Sequence, residues 1–349
     1  MTEERSTRIV ANWIFLGVGM LIIQVLLGGI TRLTGSGLSI TEWKPILGTV
    51  PPLTESEWQQ TFVKYQQIAQ FKYINSHFTL GDFKFIFFWE WFHRVWARLI
   101  GVVFLIPFVY FIVKKYIKQE MIVPLVILFL LGALQGAIGW IMVKSGLNDE
   151  NLYVSHIRLA IHFVAAMGLI CYALIFGLML RVKPSARVYN PSLRNSLILL
   201  IVLLTVQLFY GAFMAGLKAA NAAPTWPDIN GMMVPDVKGS FFHTVFFDKI
   251  TIHFIHRTLA YILFVCILMW WLKAKKVTFS ATFNKAKLYP IMLVLIQVVL
   301  GILAVLNSTK IVPGQFGFFE WFAQLHQLVG MLLLLSLVGA LYMFKTSSD

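Results

Sequence analysis

The sequence predicts an all-α membrane protein, with eight transmembrane helices arranged as two tandem four-helix bundles. A pseudo-two-fold axis along the membrane normal is expected to relate the bundles. Three observations carry this. Of 349 residues, 58% are hydrophobic and 13% charged, and the mean hydropathy is +0.77, which excludes an ordinary soluble globular chain. Eight apolar runs reach the length of about 20 residues that crosses a bilayer core. Polar residues inside those runs recur in the second part of the chain in the order of the first, which is the mark of a duplicated unit.

The runs fall at 10–31, 92–113, 121–143, 157–180, 195–217, 253–272, 288–307 and 321–344. The first is too long for a simple secretory signal. It ends in Gly28-Gly29-Ile30-Thr31-Arg32-Leu33-Thr34-Gly35-Ser36-Gly37-Leu38-Ser39, too polar for lipid and suited to a loop that covers something. An amphipathic piece follows at 55–71, with Trp58, Phe62, Tyr65 and Ile68 on it, and reads as a short helix on the membrane surface, either an interfacial anchor or a lid. The second helix is expected to begin near Glu90, the third carries Gln135 and Gly139, and the fourth begins near His156.

The net charge of +14 is unevenly placed. The N-terminus, 114–120, 181–194, 273–287 and Lys345 hold just over half of the 29 Lys and Arg but few of the 15 acids. This positive-inside asymmetry puts both termini in the cytoplasm and the segments 32–91, 144–156, 218–252 and 308–320 outside, in an inner cell membrane. The basic balance therefore belongs to membrane topology and not to nucleic acid. Cys171 and Cys266 both lie in apolar runs, where packing is the expected role.

The repeat is detailed. Gln24, Gly28, Trp43 and Gly48 match Gln207, Gly211, Trp226 and Gly231; His93-Arg94 matches His256-Arg257; Gln135 and Gly139 match Gln297 and Gly301; His162 matches His326. Four helices return the chain to its starting side, so the two copies share one orientation. The basic linker at 181–194 divides them, giving halves at 1–183 and 184–349.

Eight histidines are present. His77 and His243 read as solvated loop residues. His93, His162, His256 and His326 each fall near the outer end of an even-numbered helix, two per half, a recurrence that core packing explains poorly. The chain offers no cysteine partner and no ligand spacing for zinc. Two imidazoles facing each other across a helical bundle suit axial ligation of a haem iron. The anionic propionates of a haem need basic partners at that level, where Arg32, Arg94, Arg98, Lys144, Arg158 and Arg257 stand; each also reads as a snorkelling interfacial residue. His156 is six residues before His162 and on another helix face. His253 is three before His256, and the matched His-Arg dipeptide favours His256 as the ligand. At that −3 position the first half has Glu90 instead. A carboxylate beside a ligand is a candidate acid, base or cation stabiliser, or else an ion-pair partner of Arg94 or Arg98.

These segments, together with Trp43-Lys44-Pro45, Glu90-Trp91-Phe92-His93-Arg94, Gln135 to Leu147, Arg158-Leu159-Ala160-Ile161-His162, Thr225-Trp226-Pro227 and Leu325-His326-Gln327, span nearly the whole chain. The chain resembles the haem A synthase family, and more closely its mitochondrial and proteobacterial subgroup, whose first outer loop lacks a cysteine pair. The resemblance implies an eight-helix fold of two four-helix halves. It implies oxidation of a ring methyl group of the substrate haem O to a formyl group through an alcohol, giving haem A for cytochrome oxidase. It also implies a haem b cofactor (iron), the four histidines as haem ligands and Glu90 as a catalytic residue. The substrate haem would lie between His93 and His162, and haem b between His256 and His326, with Arg32, Arg94 and Arg257 among the haem-binding residues. A haem O synthase and an electron-transfer partner are the partners expected of the family, and a homo-oligomer is compatible with it. The alternatives are a two-haem b-type membrane cytochrome that only transfers electrons, and a secondary transporter, which the clustering of ionisable residues at one end disfavours.

Overall fold

The computed structural model describes residues 3–42, 47–237, 239–312 and 316–345, so Trp43, Lys44 and Pro45 lie outside the described residues. The protein is all-helical. In chain order the α-helices are α1 Glu3–Leu33, α2 Glu55–Tyr65, α3 Leu80–Val113, α4 Gln119–Lys144, α5 His156–Arg181, α6 Pro191–Gly216, α7 Phe241–Phe247, α8 Lys249–Ala274, α9 Ala281–Ala286, α10 Tyr289–Leu306 and α11 Phe318–Tyr342. Among the described residues, eight spans are long and apolar enough to cross a membrane, with α9 and α10 together forming the seventh.

Several spanning helices begin where the sequence supplies a side-chain cap. Ser155 Oγ accepts from Arg158 N at the start of α5, Asn190 Oδ1 from Leu193 N at the start of α6, and Asp248 Oδ1 from Thr251 N at the start of α8. Each such cap contributes about 1 kcal/mol. Helix α3 differs from the expectation. It starts at Leu80 and not near Glu90, on a capping box in which Thr79 and Asp82 exchange bonds. Asp82, Lys84 and Glu90 depress the hydropathy of this first part, but Phe83, Ile86 and Phe87 bury themselves against Phe62 and Tyr65 of α2 and extend the helix. The amphipathic piece is therefore a helix packed on α3, with Trp58 edge-on to Phe87 at 5.0 Å between ring centroids.

Packing concentrates on four helices. Helix α1 packs on α3, α5 and α11, α5 on α4, α6 and α11, and α6 on α8 and α11. The best-buried apolar residues, among them Leu197, Ile170, Met331 and Leu337, form one cluster running through these central helices. The contact between α1 and α11 is close and polar. Gln324 and Gln327 of α11 donate to the carbonyls of Leu26 and Val25, both at 3.1 Å. A Cβ on Gly29 would collide with the side-chain amide of Gln324, which would have to shift to admit it.

One pair of neighbours breaks the repeat. Helix α8 packs on α10, whereas the matching pair, α3 and α4, comes into scarcely any backbone contact. Phe104 and Phe129 bridge them by a ring stack at 6.0 Å. Gly101 on α3 and Gly132 and Gly136 on α4 have open space where a side chain would go.

Candidate functional site

The four expected histidines come together as two pairs. His256 and His326 face each other with ring centroids 6.3 Å apart. His162 lies within electrostatic range of His93. Because Gln324 and Gln327 flank His326 and bond the stretch of α1 that holds Gln24 and Gly28, the two pairs sit at one level of the bundle.

Each histidine is seated the same way on the membrane-spanning helix before it in the chain. A glutamine and a glycine four residues apart share one helix face. The glycine admits the imidazole: a Cβ would meet the ring Cε1 at 3.2 Å for Gly28 and His93, 2.8 Å for Gly139 and His162, 3.3 Å for Gly211 and His256, and 2.9 Å for Gly301 and His326. The glutamine amide touches the ring. Gln24 Nε2 is 3.2 Å from His93 Nε2, Gln135 Nε2 is 3.2 Å from His162 Nδ1, Gln207 Nε2 is 3.5 Å from His256 Nε2, and Gln297 Nε2 is 3.3 Å from His326 Nε2. The repeat matched these glutamines and glycines between halves, but nothing in the spacing said that they serve the histidines. The signal was available: the pattern Gln-x-x-x-Gly occurs on α1, α4, α6 and α10 at the level of each ligand candidate.

Glu90 is buried one turn from His93, and the Gly/Ser/Thr loop after α1 folds over it. Its Oε2 accepts from Ser39 Oγ at 2.7 Å and from Ile40 N at 2.8 Å, and its Oε1 pairs with Arg94 Nη2. Arg94 also donates to Ile40 O at 3.3 Å. Thr31 ties the loop to α1, its main-chain carbonyl accepting from Ser36 N at 2.8 Å. Gly35, at φ +69°, makes the turn that brings Leu38 and Ser39 inward. A carboxylate has about four acceptor positions, so with two donors on Oε2 and one on Oε1, the unused capacity lies on Oε1. Tyr65 of α2 closes the far side. Burial pushes its phenol up to about 12, with the Glu90 charge adding in the same direction.

The second repeat uses the matching positions differently. His253 is buried and its Nε2 lies 2.9 Å from Ala219 O, so this ring serves a loop carbonyl and not the His326 pair. Arg257 donates to the carbonyls of Ala223, Thr225 and Asp228 at 2.6, 2.9 and 2.8 Å. The loop over the first site offers N–H and O–H groups, and an acid meets them. The loop over the second offers carbonyls, and a histidine meets them. The exchange of Glu90 for His253 thus has a local hydrogen-bonding cause.

The remaining basic candidates are spread more widely. Arg32 is within range of buried Glu320 of α11. Arg158 donates to Ile141 O at 3.1 Å, and with Lys144, His156 and Lys249 it lines a cavity of about 990 Å³ between residues of both repeats. His156 itself bonds Phe246 O at 2.9 Å, across the two repeats. Among the described residues, no three His, Cys, Asp or Glu cluster as a metal site, so the donor set here is paired imidazoles.

Comparison with known proteins returns one family over most of the chain: residues 11–338 match COX15-CtaA, described as cytochrome oxidase assembly protein. Curated relatives cover it end to end. A protein of Flavobacterium psychrophilum named heme A synthase is 38% identical over 98% of this chain and 99% of its own length. Proteins of the same name from Rhodopseudomonas palustris and Bartonella tribocorum are 41% and 37% identical, over 87% and 89% of this chain and 83% and 88% of theirs.

Proposed function

The chain belongs to the COX15-CtaA family of cytochrome oxidase assembly proteins, and from that premise we propose that it is a multi-pass membrane oxidoreductase that makes haem A, with the chemistry in the half that holds Glu90. The reaction oxidises a ring methyl group of haem O to a formyl group through an alcohol. We assign residues 1–183 to the substrate half and 184–349 to the cofactor half, with the two four-helix units related by a pseudo-two-fold axis along the membrane normal. The observation that carries this reading is the pairing of four imidazoles as two facing sets, only one of which has a carboxylate beside it.

The second pair fits a haem b iron. Its two imidazoles, with ring centroids 6.3 Å apart, would hold the iron. His326 Nδ1 lies 3.0 Å from Gln297 O, and donating there it leaves the Nε2 lone pair as the ligating one. When bound, haem b supplies one-electron redox chemistry. His256 and His326 hold and orient it, and Arg257 contributes positive charge at the propionate level.

In the first half His93 and His162 hold the substrate haem, with Arg32 and Arg94 supplying positive charge for its propionates. Removing electrons from a ring methyl carbon builds positive charge there. A fixed carboxylate oxygen stabilises that charge, because its donors are already arranged and need not reorganise. Glu90 Oε1, whose capacity is not filled, is the atom placed to do this or to take the proton. Ser39, Ile40 and Arg94 hold it in place, and the loop under Tyr65 excludes water.

We place both termini on the cytoplasmic side and the histidine ends on the outer side, from the distribution of Lys and Arg. A haem O synthase upstream, an electron-transfer partner and self-association are family-level proposals.

The test is mass analysis of pigments extracted from purified protein expressed alongside haem O. Haem B with haem O or haem A is the expected result, and haem B alone would favour the two-haem cytochrome. A second outcome follows from the loop contacts. His253→Gln keeps a donor for Ala219 O, so it should retain haem b at full stoichiometry and lose less than about 1 kcal/mol of stability. Loss of the haem b absorbance in that variant would transfer the ligand role from His256 to His253.

A further inference from the structure

An amide is neutral and carries both a donor and an acceptor. A neutral imidazole presents one nitrogen that accepts and one that donates, and metal binding takes the accepting one. The four glutamines meet the four histidines at these nitrogens, and in three of them a second bond fixes the orientation of the amide. Gln24, Gln135 and Gln207 each donate Nε2 to the main-chain carbonyl of the histidine they touch, at 3.2, 2.9 and 2.9 Å. A carbonyl can only accept, so the amide nitrogen must face it. The amide oxygen is then left over. In all four repeats this Oε1 is buried without a hydrogen-bond partner: Gln24, Gln135, Gln207 and Gln297.

One orphaned acceptor would be a local accident. The same orphan on four helices, each beside a ligand candidate, asks for a common cause, since burying an acceptor without a partner is unfavourable. The imidazole supplies one. With its lone pair uncommitted, the ring is capped by the amide N–H, as found here. With its lone pair on a metal, the ring exposes an N–H on the other nitrogen and needs an acceptor. A small turn of the same amide provides it.

We propose that Gln24, Gln135, Gln207 and Gln297 are positioning residues for the haem-ligating histidines: each amide grips its imidazole and keeps its carbonyl oxygen in reserve for the ring N–H that a metal-bound histidine must place. The proposal rests on the ligand assignment above and adds which residues orient the ligands. It also separates the two glutamines of the haem b pair. The main-chain carbonyl of Gln297 already faces His326 Nδ1 at 3.0 Å. His256 Nδ1 makes no such bond, and the main-chain carbonyl of Gln207 lies only within range of the ring. The Gln207 side chain is therefore required and the Gln297 side chain is largely redundant.

The experiment measures haem b stoichiometry and midpoint potential in full-length purified protein carrying Gln207→Leu, Gln297→Leu or Gln207→Glu. Loss of such an outer partner weakens metal-site affinity by about 10–100-fold, and Gln207→Leu should do so. The haem it retains should have a raised potential, because the ligand has lost an acceptor that makes it more electron-rich. Gln207→Glu keeps an acceptor and makes it stronger, so it should hold the haem and lower the potential. Gln297→Leu should change either quantity by less than twofold in binding. Full haem b at unchanged potential in Gln207→Leu, or equal effects at 207 and 297, would overturn the proposal. If Gln207→Leu does not accumulate, the potential of Gln207→Glu decides: no shift rejects the role. His256→Ala, made in parallel, separates the two layers, since haem b surviving that change would instead remove the ligand assignment.

Discussion

Glu90→Gln stops haem A formation and leaves haem b bound. The substitution is nearly isosteric, and the Gln carbonyl can still accept from Ser39 Oγ and Ile40 N, so the loop over the site keeps its anchor. What disappears is the negative charge. Arg94 loses its ion-pair partner but retains Ile40 O, and its side chain is 17% exposed, so part of its charge is returned to water. The folding cost is accordingly below the 3–5 kcal/mol of breaking a fully buried pair. The catalytic cost is larger in proportion. Removing one preorganised electrostatic group at a developing charge costs about 10²–10³-fold in rate. Extracted pigments from the variant, expressed with haem O, should contain haem B and haem O with no haem A. A wild-type yield of haem A from Glu90→Gln would reduce this residue to the loop-holding role that His253 plays in the second half.

His256→Ala and His326→Ala remove the haem b absorbance from the purified protein, and His93→Ala and His162→Ala do not. Each alanine deletes one of the two imidazoles proposed to hold haem b and leaves a pocket where the ring lay on Gly211 or Gly301. No third His, Cys, Asp or Glu stands by to replace it among the described residues. The expected loss is therefore complete and not a shift. The first-half variants should hold haem b at full stoichiometry and fail to retain haem O. If His93→Ala loses haem b and His256→Ala keeps it, the halves are assigned the wrong way round.

Much of this was readable from the chain because hydropathy and repetition are encoded residue by residue. Eight spans follow from apolar runs, and four histidines follow from two copies of one pattern. The start of α3 was not readable, since Asp82 and Lys84 lower the local hydropathy while burial of Phe83 and Phe87 against α2 depends on a contact between distant segments. The glutamines were matched to one another but not to the histidines. An offset along the chain pairs equivalent positions, whereas the meeting of Gln135 with His162 depends on which helices are neighbours. Arg94 and Arg257 show a third limit. Their sequence setting suggests an anionic ligand, but the loops bring main-chain carbonyls within reach of both, and backbone direction in a loop leaves no pattern in residue types.

The weak seam between α3 and α4 bears on turnover. A resident cofactor and a passing substrate make opposite demands on their containers: one must be kept for the life of the protein, the other admitted and discharged in every cycle. Around the second histidine pair, α8 packs directly on α10 and closes that side. Around the first, the matching helices α3 and α4 meet through the stack of Phe104 on Phe129 with scarcely any backbone contact. On the proposed assignment of the halves, the closed side belongs to the copy that would keep a cofactor, and the looser side to the copy that carries Glu90 and would exchange a substrate.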